Sequence, residues 1–370
     1  MATSVMSVAD LQRLLDTLTE RGIETIGPTV RDGAIIYDQI TTTQELPIGH
    51  QEVQDGGYYR LKATSENSLF AYTMGPQSWK KHLLPSQQHV LTAERQGRGF
   101  SVEAAPDEPP ARAFLGVRAC ELAAIRELDK ALLKGPHASE PYRKRRENTL
   151  IIAVNCTRAG DTCFCTSMGT GPRVQDGFDV LLTEPYKALP SVCLAEAGSL
   201  KGRELLDELE LAEATEAQLR AADKAVSNAA DNMGRQITTE QLPKMLQDSL
   251  SDTHWEAIAK RCLNCGNCTM VCPTCFCSTV VDTTDLTGQT AQRIIKWDSC
   301  HTLDFSYIHG GSVRTSGMSR YRQWMMHKLS FWTEQFDAFG CVGCGRCIVW
   351  CPVGIDITEE AARFRERVSR

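Results

Sequence analysis

Apolar residues in the first half of the chain follow two patterns, the spacing of an amphipathic helix and short uninterrupted runs. Residues 1–22 have the pattern of a soluble amphipathic helix: Ser7 can cap it, leucines lie on one face, and Gly22 ends it. Continuous apolar runs at 113–117 and 149–154 are typical of buried strands, and a helical pattern follows the first of them. Shorter strand candidates lie at 34–37, 58–62, 70–72 and 178–183. This alternation predicts an N-terminal α/β domain over residues 1–197.

Two cysteine runs near the C-terminus share the pattern C-x2-C-x2-C-x3-C-P. This is the spacing with which bacterial-type ferredoxins hold two 4Fe–4S clusters, and the fourth cysteine of each run binds the other run's cluster. One predicted ligand set is Cys262, Cys265, Cys268 and Cys351, and the other is Cys341, Cys344, Cys347 and Cys272. Paired C-x2-C motifs also bind zinc, but zinc does not require the trailing Cys-Pro.

The segment between the N-terminal domain and the cysteine runs is charged, rich in alanine and leucine, and helical in pattern. We therefore predict an α+β fold: the N-terminal α/β domain, a helical connector over 198–250, and a two-cluster ferredoxin-like domain over 251–370. That last domain carries a large insertion at 274–340, which contains a strand candidate at 278–282 and, further on, the motif Ile294-Ile-Lys-Trp297-Asp-Ser-Cys300. A basic, aromatic stretch at 314–332 is either an interface for a partner subunit or an amphipathic helix packed beside the clusters.

Composition narrows the class of protein. The chain has 370 residues and a net charge of −6, from 40 basic and 46 acidic residues, which leaves no basic footprint for nucleic acid. No apolar run approaches the roughly 20 residues that span a bilayer, and no signal-peptide pattern is present. Sixteen cysteines would suggest disulfides in a secreted protein, but eight of them have cluster spacing and no signal peptide is recognised, so we expect a cytoplasmic protein in a reducing compartment, with no membrane partner.

Four further cysteines follow predicted strands of the N-terminal domain. Cys120 and Cys156 come just after the two buried strands, and Cys163 and Cys165 lie on a glycine-rich loop over 157–172. Sites in open α/β sheets gather beyond the carboxyl ends of strands, so these four thiols are expected to meet and to bind a third 4Fe–4S cluster. Arg118 and Arg158 would offset part of the negative charge. Zinc is the main alternative, because four cysteines suit it equally well.

The remaining cysteines are Cys193, Cys275, Cys277 and Cys300. We assign Cys193 to packing; the other three are one thiol short of a set for a further cluster. No dinucleotide fingerprint, P-loop or catalytic acid–base pair can be recognised. One-electron transfer is the chemistry that remains, and the chain is not expected to catalyse a reaction alone.

The order of these motifs resembles a known family. The relevant motifs are Arg118-x-Cys120-Glu121, Asn155-Cys156, Cys163-Phe-Cys165, the two ferredoxin runs and Trp297-Asp-Ser-Cys300. Together they resemble the beta subunit of cytoplasmic NAD(P)-linked nickel–iron hydrogenases, the sulfhydrogenases. They are also similar to the electron-transfer subunit of anaerobic sulfite reductase.

The resemblance implies an electron-transfer subunit of an oxidoreductase complex. In the hydrogenase it would relay electrons between a flavin- and NAD(P)-binding subunit and the small subunit beside the nickel–iron centre. In the sulfite reductase it would pass them toward a sirohaem subunit. A third alternative, from another class, is a stand-alone iron–sulfur regulatory module, which would purify without companions.

Overall fold

The computed structural model describes residues 3–73 and 75–368, and it is a mixed structure of helices and sheets. The strands, in chain order, are β1 Ser4–Ser7, β2 Glu24–Arg31, β3 Ala34–Gln39, β4 His50–Asp55, β5 Tyr58–Ala63, β6 Gln87–Gln96, β7 Gly99–Ala104, β8 Arg112–Arg118, β9 Thr149–Val154, β10 Val180–Thr183, β11 Val192–Ala197, β12 Ser278–Thr284, β13 Thr290–Trp297, β14 Tyr307–Ile308 and β15 Gly311–Ser312.

The helices are α1 Val8–Glu20, α2 Lys80–Leu83, α3 Ala119–Leu133, α4 Glu140–Glu147, α5 Leu200–Glu208, α6 Glu216–Asp231, α7 Leu242–Asp248, α8 His254–Ala259, α9 Asn267–Met270, α10 Gly317–Met326, α11 Trp332–Phe336, α12 Arg346–Val349 and α13 Ile357–Val368. Short 3-10 turns occupy Thr43–Glu45 and Asp304–Ser306, and a π-helical turn at His327–Phe331 joins α10 to α11.

A seven-stranded sheet organises the N-terminal part, in the order β1-β11-β10-β9-β8-β2-β3. The central strands β10, β9, β8 and β2 are parallel neighbours, and antiparallel strands close both edges. The helix predicted within residues 1–22 is confirmed as α1, but it begins only at Val8, because Ser4–Ser7 pair with β11 as strand β1. Ser7 and Asp10 cap each other at the start of α1, and its leucine face is buried against the sheet. Parallel strands bring their carboxyl ends to one edge, which places the loops after β8 and β9 side by side.

The strand predicted at 70–72 is wrong, because its backbone groups are bound by side chains instead of a neighbouring strand. The amides of Leu69 and Phe70 each donate to the carboxylate of Glu184 at 2.7 Å. The carbonyls of Phe70 and Tyr72 accept from the Arg118 guanidinium. The segment is therefore buried but irregular.

A second, four-stranded sheet has the order β12-β13-β6-β7, so it combines two strands of the N-terminal part with two strands of the insertion. Strand β12 matches the strand predicted at 278–282 in the insertion, whereas β13 and the β6–β7 hairpin were not predicted. Its apolar positions are sparse and Phe100 and Val102 are exposed, so the hairpin gives little periodic signal. The pairing of β13 with β6 ties the insertion to the N-terminal part.

The region predicted as a connector is helical and packs on two different cores. Leu205 and Leu206 of α5 join the core of the seven-stranded sheet, and Leu242 and Leu246 of α7 join the core around the ferredoxin runs. The stretch 314–332 was expected to be either a partner interface or a helix packed beside the clusters, and the structure favours the packed helix. The stretch forms α10, the π-helical turn and the start of α11. Its buried apolar side chains are Tyr321, Trp324, Met325, Met326, Leu329 and Trp332.

None of the helices among the described residues is both long and apolar enough to cross a membrane.

Candidate iron–sulfur sites

The two ferredoxin runs fold alike at equivalent positions. Asn264 and Gly343, each two residues after the first cysteine, adopt left-handed φ values of 52° and 65°. This conformation aims their amides back at sulfur: the N–H groups donate to Sγ of Cys262 at 3.4 Å and of Cys341 at 3.5 Å. Such bonds favour thiolate ligands and tune the potential of a bound cluster.

The first predicted ligand set surrounds one cavity. Cys262, Cys265, Cys268 and Cys351 all line it, together with aromatic side chains of the insertion, which are His301, Tyr321 and Trp324. The amide of Ile355 donates to Cys351 Sγ at 3.3 Å. The last cysteine of the second run thus lies with the first three of the first run, as crossed ligation requires.

The second predicted set lies deeper. Burial raises the pKa of the Cys347 thiol, and the neighbouring Cys341, Cys344 and Cys272 raise it further, so these four thiols are electrostatic neighbours. Helices α9 and α12 contact each other, which explains how Cys272 from the first run reaches the second. Cys347 also lines the first cavity, so the two sets are adjacent.

The third predicted set lies at the carboxyl edge of the large sheet. Arg118 of β8 and Val154 of β9 are register partners, so the chain leaves both strands at the same level. Cys120, Cys163 and Cys165 are buried in one cluster with Cys344 of the second set. Cys156 acts electrostatically on both Cys163 and Cys165, and burial, together with these neighbours, raises the pKa of Cys163 to about 12.

The loop that carries Cys163 and Cys165 docks directly on the second ferredoxin run. The amide of Phe164 donates to the Gly343 carbonyl at 2.9 Å, and Thr170 Oγ1 donates to the Val342 carbonyl at 2.7 Å. The three predicted sets therefore follow one another from an exposed thiol, Cys265, to buried ones in the N-terminal part.

Two arginines were expected to offset negative charge at the third set, and the structure distinguishes them. Arg118 is buried, with Nη1 3.9 Å from Cys156 Sγ, as expected. Arg158 instead forms an ion pair with Glu52 and donates to the Ala71 carbonyl, so its charge is compensated by a carboxylate.

A buried ion pair that the sequence did not indicate joins the N-terminal part to the ferredoxin runs. Arg346, between Cys344 and Cys347, pairs with Glu121, the residue after Cys120, and both side chains are only 1% exposed. Glu121 also accepts from Tyr37 and, at 3.0 Å, from Trp79 Nε1. Glu121 and Arg346 are far apart in the chain, so no local sequence pattern predicts that they pair.

The cysteines outside these sets fall into two groups. Cys193 is buried in the core of the large sheet, in agreement with a packing role. Cys275, Cys277 and Cys300 gather at the base of the β12–β13 hairpin, next to Cys272. Over residues 3–73 and 75–368, no group of three or more His, Cys, Asp or Glu side chains is arranged to hold a single metal ion.

The cysteine sets fit a cluster chemically. Burial raises the pKa of the Cys120, Cys156 and Cys163 thiols, so thiolates are costly there unless iron cations are bound to them. A four-iron cluster is larger than a single zinc ion and holds its thiolates further apart.

The paired C-x2-C-x2-C-x3-C-P loops, with backbone amides aimed at sulfur, define an iron–sulfur protein of the two-cluster ferredoxin type. Residues 261–355 match the family described as 4Fe-4S dicluster domain. The C-terminal part therefore carries a ferredoxin-like domain for 4Fe–4S clusters.

A curated relative extends the assignment over most of the chain. The chain is 35% identical over 257 residues to sulfhydrogenase 2 subunit beta of Pyrococcus furiosus, an alignment that covers 68% of this chain and 74% of the relative. The chain belongs to this family of hydrogenase beta subunits, as its motifs had indicated. It is an iron–sulfur electron-transfer component of an oxidoreductase. No solved structure matches it.

Proposed function

We propose that the chain relays electrons between a flavin- and NAD(P)-binding subunit and the small subunit of a cytoplasmic nickel–iron hydrogenase. The observation that carries this proposal is the unbroken series of three cysteine sets, from exposed Cys265 to buried Cys163, in a chain of the sulfhydrogenase beta family. The sulfhydrogenase relative favours this assignment over the sulfite reductase alternative. The complex is multi-subunit, and the chain catalyses no reaction alone.

Each set has a distinct place in this relay. We assign one 4Fe–4S cluster to Cys262, Cys265, Cys268 and Cys351, a second to Cys341, Cys344, Cys347 and Cys272, and a third to Cys120, Cys156, Cys163 and Cys165. When bound, each cluster supplies a one-electron couple. The chain positions the sets so that Cys347 and Cys344 lie at the boundaries between neighbours.

The first set supplies the surface at which a partner subunit docks. Cys265 is exposed, and apolar side chains flank it in the same cavity: Leu263 is 64% exposed and Val353 is 40% exposed. Electron transfer weakens steeply with distance, so a partner's redox centre must approach this rim closely. The apolar residues suit the desolvated centre of a subunit interface.

The test uses the native complex and a charge placed on this rim. Leu263→Glu should lower hydrogen-dependent NAD(P) reduction by the complex at least about tenfold, because a buried unpaired carboxylate costs more than the roughly 1.4 kcal/mol that a factor of ten represents. Reduction of the chain by a small dye should not change. Leu286→Glu is the matched control, since Leu286 is fully exposed in the β12–β13 turn.

Equal rates in the two variants would contradict docking at this rim. The wider proposal fails if the purified chain, without companions, oxidises hydrogen or NAD(P)H, because it would then hold a substrate site of its own.

A further inference from the structure

The hairpin formed by β12 and β13 brings together two cysteines that the electron relay does not use. Cys277 directly precedes β12, and Cys300 follows β13 by three residues. The backbone pairs Ser278 with Trp297, and the Asp298 amide donates to the Cys277 carbonyl at 2.8 Å. This ladder fixes the distance between the two segments at the base of the hairpin.

The base of the hairpin makes Cys277 and Cys300 neighbours. Each thiol is the largest influence on the pKa of the other, whereas the largest influence on Cys275 is Cys272. Both Cys277 and Cys300 are half-buried, so a small reagent can reach them, whereas Cys193 in the core is 1% exposed.

Two buried lysines lie among the thiols at the base of the hairpin: their strongest thiol neighbours are Cys272 and Cys275, and both also act on Cys277. Lys80 is 3% exposed, with Nζ 4.0 Å from the Trp297 ring centroid. Lys328 is also 3% exposed and donates to Thr274 Oγ1 at 2.6 Å. Buried lysines are rare unless negative charge lies near them.

The hydrogen bond from Cys300 lowers the pKa of Cys277 to about 7, and both lysines add to this against burial and Asp298. Thiolate is the nucleophilic form of cysteine in exchange with disulfides. Cys277 stands at the base of the hairpin opposite the segment that carries Cys300, and its lowered pKa makes it the attacking sulfur.

We propose that Cys277 and Cys300 form a reversible dithiol–disulfide pair that reacts with low-molecular-weight disulfides, a site beyond the electron relay. The Cys277 thiolate attacks one sulfur of the disulfide RSSR, the S–S bond breaks, and RS⁻ leaves and takes up a proton. Cys300 then loses its proton, attacks Cys277 and expels the second RS⁻. Two protein thiols are oxidised to one disulfide while RSSR is reduced to two RSH, and a reducing thiol reverses both steps.

The experiment equilibrates the full chain, with its clusters in place and without air, against mixtures of reduced and oxidised glutathione. Remaining thiols are blocked with iodoacetamide and mapped by mass spectrometry. Cys277 and Cys300 should lose reactivity together, and the oxidised fraction should follow the ratio of oxidised glutathione to the square of reduced glutathione, as one intramolecular disulfide requires. Cys193 should stay unchanged throughout.

Variants assign the roles within the pair. Cys300→Ser should trap a glutathione adduct on Cys277, because the second attack is lost, and Cys277→Ser should leave Cys300 largely free of adduct. Cys275→Ser is the matched control and should leave the Cys277–Cys300 disulfide intact.

Two results would overturn the proposal. One is alkylation of both Cys277 and Cys300 at every glutathione ratio, which the unmodified chain alone can show even where a variant misfolds. The other is a loss of iron and acid-labile sulfide in Cys277→Ser, since Cys277 would then be a cluster ligand.

Discussion

At the scale of single residues, the ion pair between Arg346 and Glu121 connects two of the three cysteine sets. Each of these residues is adjacent to a proposed ligand, Arg346 to Cys347 and Glu121 to Cys120. Although burial disfavours the charged guanidinium, Glu121 and Cys344 raise the pKa of Arg346 above its ordinary value. Arg346 also donates to the carbonyls of Gly75 and Gln77, so its planar fork has partners in several directions.

Replacing Arg346 should therefore cost more than replacing an exposed arginine. Arg346→Met leaves the Glu121 carboxylate buried without its cation, which should lower the free energy of unfolding by about 3–5 kcal/mol. Arg126→Met is the control, because Arg126 lies on the same helix as Glu121 but pairs with Asp176 at the surface, where such pairs contribute about 0–1 kcal/mol. Urea unfolding followed by tryptophan fluorescence measures both.

Adding Glu121→Gln to Arg346→Met should recover part of the loss, since the uncompensated charge is gone. Equal destabilisation by Arg346→Met and Arg126→Met would show that the buried ion pair contributes no more to the free energy of unfolding than the exposed one.

The ligands were easier to predict from the sequence than the residues that support them. The fixed spacing of the ferredoxin runs nominates eight cysteines directly, and position after strands nominates Cys120 and Cys156. Glu121, Lys80 and Lys328 carried no such signal, because a charged residue near a cysteine is usually solvated. Only the fold shows that these charges are buried.

At the scale of elements, the loop over 157–172 and the second ferredoxin run fit together through a close backbone approach. Gly345 has a φ of +76°, and a Cβ there would lie 2.4 Å from the Thr162 carbonyl oxygen. The contact is between two backbones, so neither can move aside as a flexible side chain would.

Gly345→Ala should therefore push the loop off the second run. We expect faster hydrogen–deuterium exchange at the Phe164 amide, which donates to Gly343, and a lower thermal midpoint. Gly288→Ala is a matched control: its φ is +66°, yet no atom lies within 4 Å of the added Cβ. It should show only the left-handed penalty of about 1–2 kcal/mol.

If the two variants change exchange at Phe164 equally, the loop does not depend on this contact, and the docking of the third set on the second is weaker than the geometry indicates.

The elements themselves were predicted unevenly. Strands β8 and β9 and helix α1 follow from hydrophobic periodicity, because each presents a strong core face. The β6–β7 hairpin did not, since its pairing with β13 depends on a strand about two hundred residues further along and not on local pattern. The segment 70–72 has the alternation of a strand, but its backbone amides and carbonyls are hydrogen-bonded to the side chains of Glu184 and Arg118, which are distant in the chain.

At the scale of the whole molecule, the three cysteine sets lie one after another, from the exposed Cys265 to the buried Cys163. This is the arrangement that the proposed electron relay requires. The ferredoxin-like domain supplies the two outer sets, and the large sheet supplies the inner one through the ends of β8 and β9. A relay of this kind needs every set to be filled, so the number of clusters is the central quantity.

The most direct test is the content of iron and acid-labile sulfide in the full chain, reconstituted without air. Three four-iron clusters predict about twelve of each per chain, and about eight of each in Cys163→Ser, because that variant removes one ligand of the third set alone. Eight of each in the unmodified chain, with no change in Cys163→Ser, would contradict the third cluster and with it the continuous relay proposed for this protein.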